Sequence, residues 1–208
     1  MTDPGYYENE RRDVARLIPA HAKQILDVGC GTGRLGSLLK AEHPDRHVTG
    51  VEINAVVAAQ AGAVLDAVVV GDIQQMSLPF PSASFDCIIF ADVLEHTVDP
   101  GAILRTVRSL LVPQGVIVCS IPNMRHYTVI LQLLRKGWEY ADHGLFDRTH
   151  LRFFSRRSIE RLLLESGFSI EHCEPRVVAS KKMKAANVLA GGVLAEFLAM
   201  QYIFVAHV

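Results

Sequence analysis

The residues best suited to chemistry in the first half of the chain are acids and glycines. Asp27-Val28-Gly29-Cys30-Gly31-Thr32-Gly33 sets a carboxylate two residues ahead of three closely spaced glycines. Such glycines let the backbone turn tightly and let a ligand approach main-chain N–H groups with no Cβ in the way. The apolar run Gln24 to Val28 before them, and Leu35, Leu38 and Leu39 after them, read as strand, turn and helix. The first amides of that helix suit an anionic ligand group. Glu52 then closes a second strand-like run, His47 to Glu52, and Asp72 follows a third, Ala67 to Gly71. An acid about twenty residues beyond a glycine turn is placed for ribose hydroxyls.

Gly31-Thr32-Gly33-Arg34-Leu35-Gly36 also fits the dinucleotide pattern G-x-G-x-x-G, so the loop alone admits two cofactors. Three features favour S-adenosylmethionine. Asp27 lies inside the strand, where a dinucleotide strand is normally apolar. Asp72 with Ile73 offers an acid for an adenine edge and an apolar side chain for its face. Phe85 to Ile89 leads into Asp92-Val93-Leu94-Glu95-His96 beside the same site. These motifs resemble those of S-adenosylmethionine-dependent methyltransferases, and the resemblance implies cofactor contacts at Tyr7, Asp27, Gly29, Cys30, Gly31, Gly33, Glu52, Ile53, Asp72, Ile73, Ala91 and Asp92.

A sulfonium methyl is already activated, so its transfer needs positioning and, for a hydroxyl acceptor, a base. His96, His126 and His150 are the candidate bases, because imidazole titrates near working pH. Asp92-x-x-Glu95-His96 also resembles the acid-x-x-Glu-His metal site of some methyltransferases acting on RNA ends or quinone precursors. Its first acid is Asp rather than Glu, and the reading takes no metal. From Arg125 to Arg161 cations outnumber acids, which points to an anionic acceptor, with Arg125, Tyr140, Arg148 and Arg152 as its contacts.

These residues need a scaffold of alternating elements. A helix is expected over Tyr6–Ile18, ending at Pro19, with strands at Gln24–Val28, His47–Glu52, Ala67–Asp72, Phe85–Phe90 and Gly115–Ser120. Asn54 caps one intervening helix, and Asp99 with Pro100 opens another. Continuous apolar strands alternating with amphipathic helices predict a parallel sheet covered on both faces. Beyond Pro122 come a helix over Met124–Trp138, an irregular polar and aromatic segment, and a helix capped by Ser155 and ended by Gly167. Residues 124–160 are read as a substrate-side insertion and 179–200 as a helical insertion before a last antiparallel strand, Gln201–Ala206.

Taken in order, these motifs resemble a class I S-adenosylmethionine-dependent methyltransferase over nearly the whole chain. The resemblance implies one domain (residues 1–208), α/β, with a Rossmann-like doubly wound seven-stranded sheet. In that family the glycine loop lies against the methionine part, the acid matching Glu52 holds the ribose, and the acid matching Asp72 meets the adenine. Tyr6-Tyr7-Glu8-Asn9-Glu10-Arg11, Ser120 to His126 and Gly144 to Phe154 are similar to methyltransferases of bacterial cell-surface glycan and small-molecule pathways. They imply a sugar or related small molecule, methylated on oxygen or nitrogen.

Composition narrows the field. At 208 residues with a net charge of −1, nothing global marks a nucleic-acid binder. Cys30, Cys87, Cys119 and Cys173 show no C-x-x-C spacing and read as reduced thiols, and the N-terminus lacks a secretory pattern, so a cytoplasmic location is expected. Ala185 to Val208 is largely apolar, but Asn187, Glu196, Gln201 and His207 interrupt it. It reads as a buried helix and a strand rather than a stable membrane insertion. An NAD(P)-dependent oxidoreductase, an RNA-directed methyltransferase and a non-catalytic subunit keeping the fold stay open as alternatives.

Overall fold

The computed structural model describes residues 11–208. A short helix, α1 (Arg12–Ala15), precedes β1 (Gln24–Val28), α2 (Arg34–Glu42), β2 (His47–Glu52), α3 (Ala55–Ala61) and β3 (Ala67–Val70). The chain continues through β4 (Phe85–Ala91), α4 (Pro100–Arg108), β5 (Leu111–Pro122), α5 (Tyr127–Lys136) and α6 (Arg156–Glu165). It ends with β6 (Ser169–Val177), α7 (Lys181–Leu189), α8 (Ala195–Leu198) and β7 (Ala199–His207). The seven strands form one sheet in the order β3-β2-β1-β4-β5-β7-β6. The first five are parallel, and β7 runs antiparallel between β5 and β6.

Local sequence accounts for the element ends. The Asn54 carboxamide oxygen accepts from the Val56 and Val57 amides at 3.0 and 3.3 Å, closing the free amides of α3. Asp99 does the same for Ala102 at 2.9 Å, with Pro100 at the first helical position. Ser155 and Ser158 cap α6 reciprocally, and Gly167, at φ 87°, turns the chain out of that helix.

Both faces of the sheet are covered. On one side Leu26, Ile88 and Ile117 pack with Leu104 of α4 and Leu163 of α6. On the other, Ile25, Cys87 and Ile89 pack with Val14 of α1 and Leu39 of α2. Alternate residues of one strand thus serve different layers, as the strand period requires. The first turn of the chain, expected as a helix over Tyr6–Ile18, is helical only at Arg12–Ala15 among the described residues. Tyr7 lies outside them.

The segment before β7 departs from expectation. It is expected as a buried helix, yet none of the described side chains of α7 is buried, and Val188, Leu189 and Val193 are 76, 90 and 75% exposed. Gly191 and Gly192, at φ 62° and 84°, end the helix before it can lie down on either core layer. No described helix is long and apolar enough to cross a membrane.

Candidate functional site

The site forms where the parallel strands β1, β2 and β4 end. Gly29, Gly31 and Gly33 all take positive φ (71°, 56° and 81°). Gly29 has a second constraint: a Cβ there would sit 2.5 Å from Val93 Cγ2, so the turn and the β4 exit can approach only without one. Gly33 stands at the N-terminus of α2, where a Cβ would meet Val64 Cγ2 at 2.7 Å.

Glu52, buried at the end of β2, ties this loop down. Its carboxylate accepts from the Gly31 N–H at 3.0 Å and from the Asn54 N–H at 2.9 Å. Two backbone donors leave further lone pairs for ribose hydroxyls. Beside it Ile53 is 66% exposed, an apolar side chain left open next to the acid. Asp72 accepts from the Gln74 N–H at 2.9 Å and the Gln75 side-chain amide at 3.1 Å, while Ile73 packs partly into the core.

Asp27 is the charge-bearing centre of the loop. It is 2% exposed, and its Oδ2 is buried with no hydrogen-bond partner. Burial, reinforced by the nearby Glu52 and opposed by Arg11, pushes its carboxyl up to about 7. An unpartnered carboxylate oxygen at a glycine turn fits a cationic or N–H-bearing ligand group, such as the ammonium of a methionine moiety. The Cys30 thiol, raised by burial and by Asp27 and Glu52, is no nucleophile there.

At the end of β4, Asp92 takes φ 60°, rare for a residue with a Cβ. Its carboxylate is fixed by Arg11 Nη1 at 2.5 Å, Gln201 Nε2 at 2.7 Å and Ser120 Oγ at 3.3 Å. Arg11 also donates to Ser120 Oγ at 2.7 Å, which closes the network. Ala91, half-buried, precedes it. Sequence reasoning singled out Asp92 but missed Arg11, Ser120 and Gln201 as its partners.

Two of the three expected histidines come together. The His96 and His150 rings stand edge to face with centroids 4.7 Å apart. His96 Nδ1 lies 3.3 Å from the Thr149 carbonyl oxygen and 2.9 Å from Thr149 Oγ1. A carbonyl only accepts, so in this contact Nδ1 is the donor. The Thr149 hydroxyl in turn donates to Asp147 Oδ1 at 2.6 Å, and Asp147 is held ionised below its ordinary value chiefly by the hydrogen bonds from Thr149, which outweigh its burial. Burial and the neighbouring His96 lower His150, so it is neutral at pH 7.

Glu95, one residue before His96, is 1% exposed, and neither carboxylate oxygen has a hydrogen-bond partner. Burial and the adjacent Asp92 raise it well above the usual carboxylate range. One ligand atom each from Glu95, His96 and His150 lies within 4.8 Å of the others. His126 is separate in its contacts: it bonds Thr128 Oγ1 at 2.7 Å, and its ring lies tilted by 49° against Tyr127 with centroids 4.5 Å apart.

The expected substrate contacts already hold protein partners. Arg125 pairs with Glu196 and stands 5.0 Å over the Phe197 ring. Arg152 donates to the Val98 carbonyl at 2.9 Å through Nε, and Arg148 pairs with Asp142 at 2.7 Å in open solvent. Tyr140 is 59% exposed and stands against Trp138.

Comparison with known proteins agrees with this geometry. Residues 6–173 match the family described as a methyltransferase domain. The ubiquinone biosynthesis O-methyltransferase of Psychrobacter arcticus is 28% identical over 176 residues, 79% of this chain and 66% of that protein. A second relative of that name, from Histophilus somni, is 32% identical over 135 residues, 62% of this chain and 56% of that one. The chain thus spans between about half and two thirds of the length of these curated relatives. A crystal structure of an S-adenosylmethionine-dependent methyltransferase from Archaeoglobus fulgidus shares the fold, with a TM-score of 0.69 at 20% identity over 94% of this chain and 91% of that one. None of these carries a glycan-pathway description. The glycine loop, the acids at three strand ends and this sheet order make one statement: the chain belongs to the methyltransferase-domain family, within the class I S-adenosylmethionine-dependent methyltransferases.

Proposed function

We propose that the chain transfers the methyl group of S-adenosylmethionine to an oxygen of a small molecule, with His96 as the base. The observation that carries it is the Asp147–Thr149–His96 chain of hydrogen bonds, which fixes the imidazole in place beside the end of β4. The O-methyltransferase names of the relatives support oxygen as the acceptor atom.

In this reading Asp27 holds the ammonium of the methionine part, Glu52 the ribose and Asp72 the adenine, with Ile53 and Ile73 against its faces. Asp92, held by Arg11, Gln201 and Ser120, lines the end of β4 on the same side of the site. S-adenosylmethionine bound there would supply an activated methyl group for in-line transfer to the acceptor oxygen, leaving S-adenosylhomocysteine with the electron pair of the broken C–S bond. His96 would take the proton released from the acceptor hydroxyl. Such a base contributes about a hundredfold or more to the rate.

Glu95 supports a second reading of the same cluster. Its buried, unpartnered oxygens beside two imidazoles make a donor set suited to a divalent ion. Such an ion would lower the pKa of an acceptor hydroxyl bound to it. Incubation with methyl-labelled cofactor and separate panels of catechols, sugars and amines tests the function. Label on a hydroxylated acceptor, lost in His96→Ala, supports the proposal; label only on amines overturns it.

A further inference from the structure

Two segments that leave the same end of the sheet each expose several large apolar side chains. α5 departs from the end of β5, and α7 with α8 joins the end of β6 to the start of β7. Pro122 pairs with Gln201, and Val177 with Ala199, so these strand ends are neighbours. Arg125, just before α5, pairs with Glu196 of α8, and the Asn123 side chain donates to the Glu196 and Ala199 carbonyls at 2.8 Å. This is also the end at which β1, β2 and β4 present the site.

Apart from Val129 of α5 and Leu198 of α8, the described large apolar side chains of these helices stay out of the buried core. Of α5, only Val129 is buried; Ile130, Leu131 and Leu134 lie on one helical stripe and are 38, 40 and 78% exposed. In the second segment Val188, Leu189 and Val193 are 76, 90 and 75% exposed. Large apolar side chains clustered in solvent in this way mark an interaction site. Its charge identifies the occupant. Arg135 and Lys136 end α5, and Lys181, Lys182 and Lys184 open α7. Between Tyr127 and Lys136, and between Lys181 and Leu194, there is no acidic residue, on a chain whose net charge is −1.

We propose that this face docks on an anionic lipid bilayer. The leucines and valines enter the boundary between headgroups and acyl chains, and the lysines meet the lipid phosphates. The contact is peripheral, as an exposed apolar face rimmed by cations makes it. It does not depend on the methyltransferase reading, because vesicle binding is measured without cofactor or acceptor.

The test is co-sedimentation of the full chain with vesicles of phosphatidylglycerol and phosphatidylethanolamine, against vesicles of phosphatidylcholine alone. Sedimentation with the anionic vesicles, weakened by salt, is expected. It should fall about tenfold in the Leu134→Glu/Leu189→Glu variant and become less salt-sensitive in Lys181→Glu/Lys182→Glu. The side chains changed are solvent-exposed, and an unchanged melting curve shows that the variants fold. Three results would overturn the proposal: no sedimentation with anionic vesicles, equal sedimentation of parent and leucine variant, or a vesicle-free dimer that the leucine variant abolishes.

Discussion

Glu52 accepts from the Gly31 amide at 3.0 Å, so the acid that ends β2 also fixes the glycine loop that ends β1. Removing it should do two things at once. Glu52→Ala leaves the Gly31 and Asn54 amides without their acceptor, a cost on the order of 1–3 kcal/mol in stability. It should also weaken S-adenosylmethionine binding about tenfold or more, because the ribose loses its partner. Glu52→Gln keeps the shape and half of the acceptors and should fall between. Thermal melting and calorimetric titration separate the two effects.

Asp27 gives a prediction in which stability and binding move in opposite directions. Its folded carboxyl titrates near 7, above its unfolded value of about 4. A raised carboxyl contributes stability in full below about pH 4, and that contribution is lost as the pH rises through 7. Asp27→Asn should therefore stabilise the cofactor-free protein at pH 8, by at most about 4 kcal/mol, and show little gain at pH 4. Its affinity for S-adenosylmethionine should drop, and the parent's own affinity should rise between pH 6 and pH 8 as Asp27 ionises. Melting curves and titrations across that range read both.

The His96–Thr149 contact predicts a graded loss of rate. His96→Ala should lower kcat about a hundredfold with KM little changed. Thr149→Val removes the hydroxyl link but not the carbonyl, and should cost about tenfold. Both should bind the cofactor like the parent. A His96→Ala protein with undiminished kcat would show that the base lies elsewhere.

Glu95→Gln separates the two readings of the histidine cluster. Burial and the adjacent Asp92 favour the neutral carboxyl, which an amide resembles, so Glu95→Gln should leave melting temperature and rate within a few-fold if His96 acts alone. If a divalent ion is held there, Glu95→Gln and a chelator should each abolish activity, and added metal should restore only the chelated parent.

How much of this was legible in sequence follows from how local each cause is. The glycine turn, the Asn54 and Asp99 caps and the Ser155 start are written in adjacent residues, and each stands where its residue type requires. The acids at the ends of β1 and β2 and after β3 could be read because strand ends in this fold collect at one place. The partners of Asp92 could not, since Arg11 and Gln201 lie 81 and 109 residues from it and neither has a local signature. Thr149 was passed over for the same reason, being 53 residues from His96. The segment before β7 failed differently: hydrophobicity predicts that a side chain avoids water, and α7 leaves Leu189 in it.

The account rests on an acid-lined cofactor site at the ends of β1 and β2 and after β3. The most direct test is calorimetric titration of the purified chain with S-adenosylmethionine and, separately, NADPH, repeated on Glu52→Ala and Asp72→Ala. The account predicts one-to-one binding of S-adenosylmethionine, no heat with NADPH, and marked weakening in both variants. Binding of NADPH instead, or S-adenosylmethionine affinity unchanged in both variants, would contradict it.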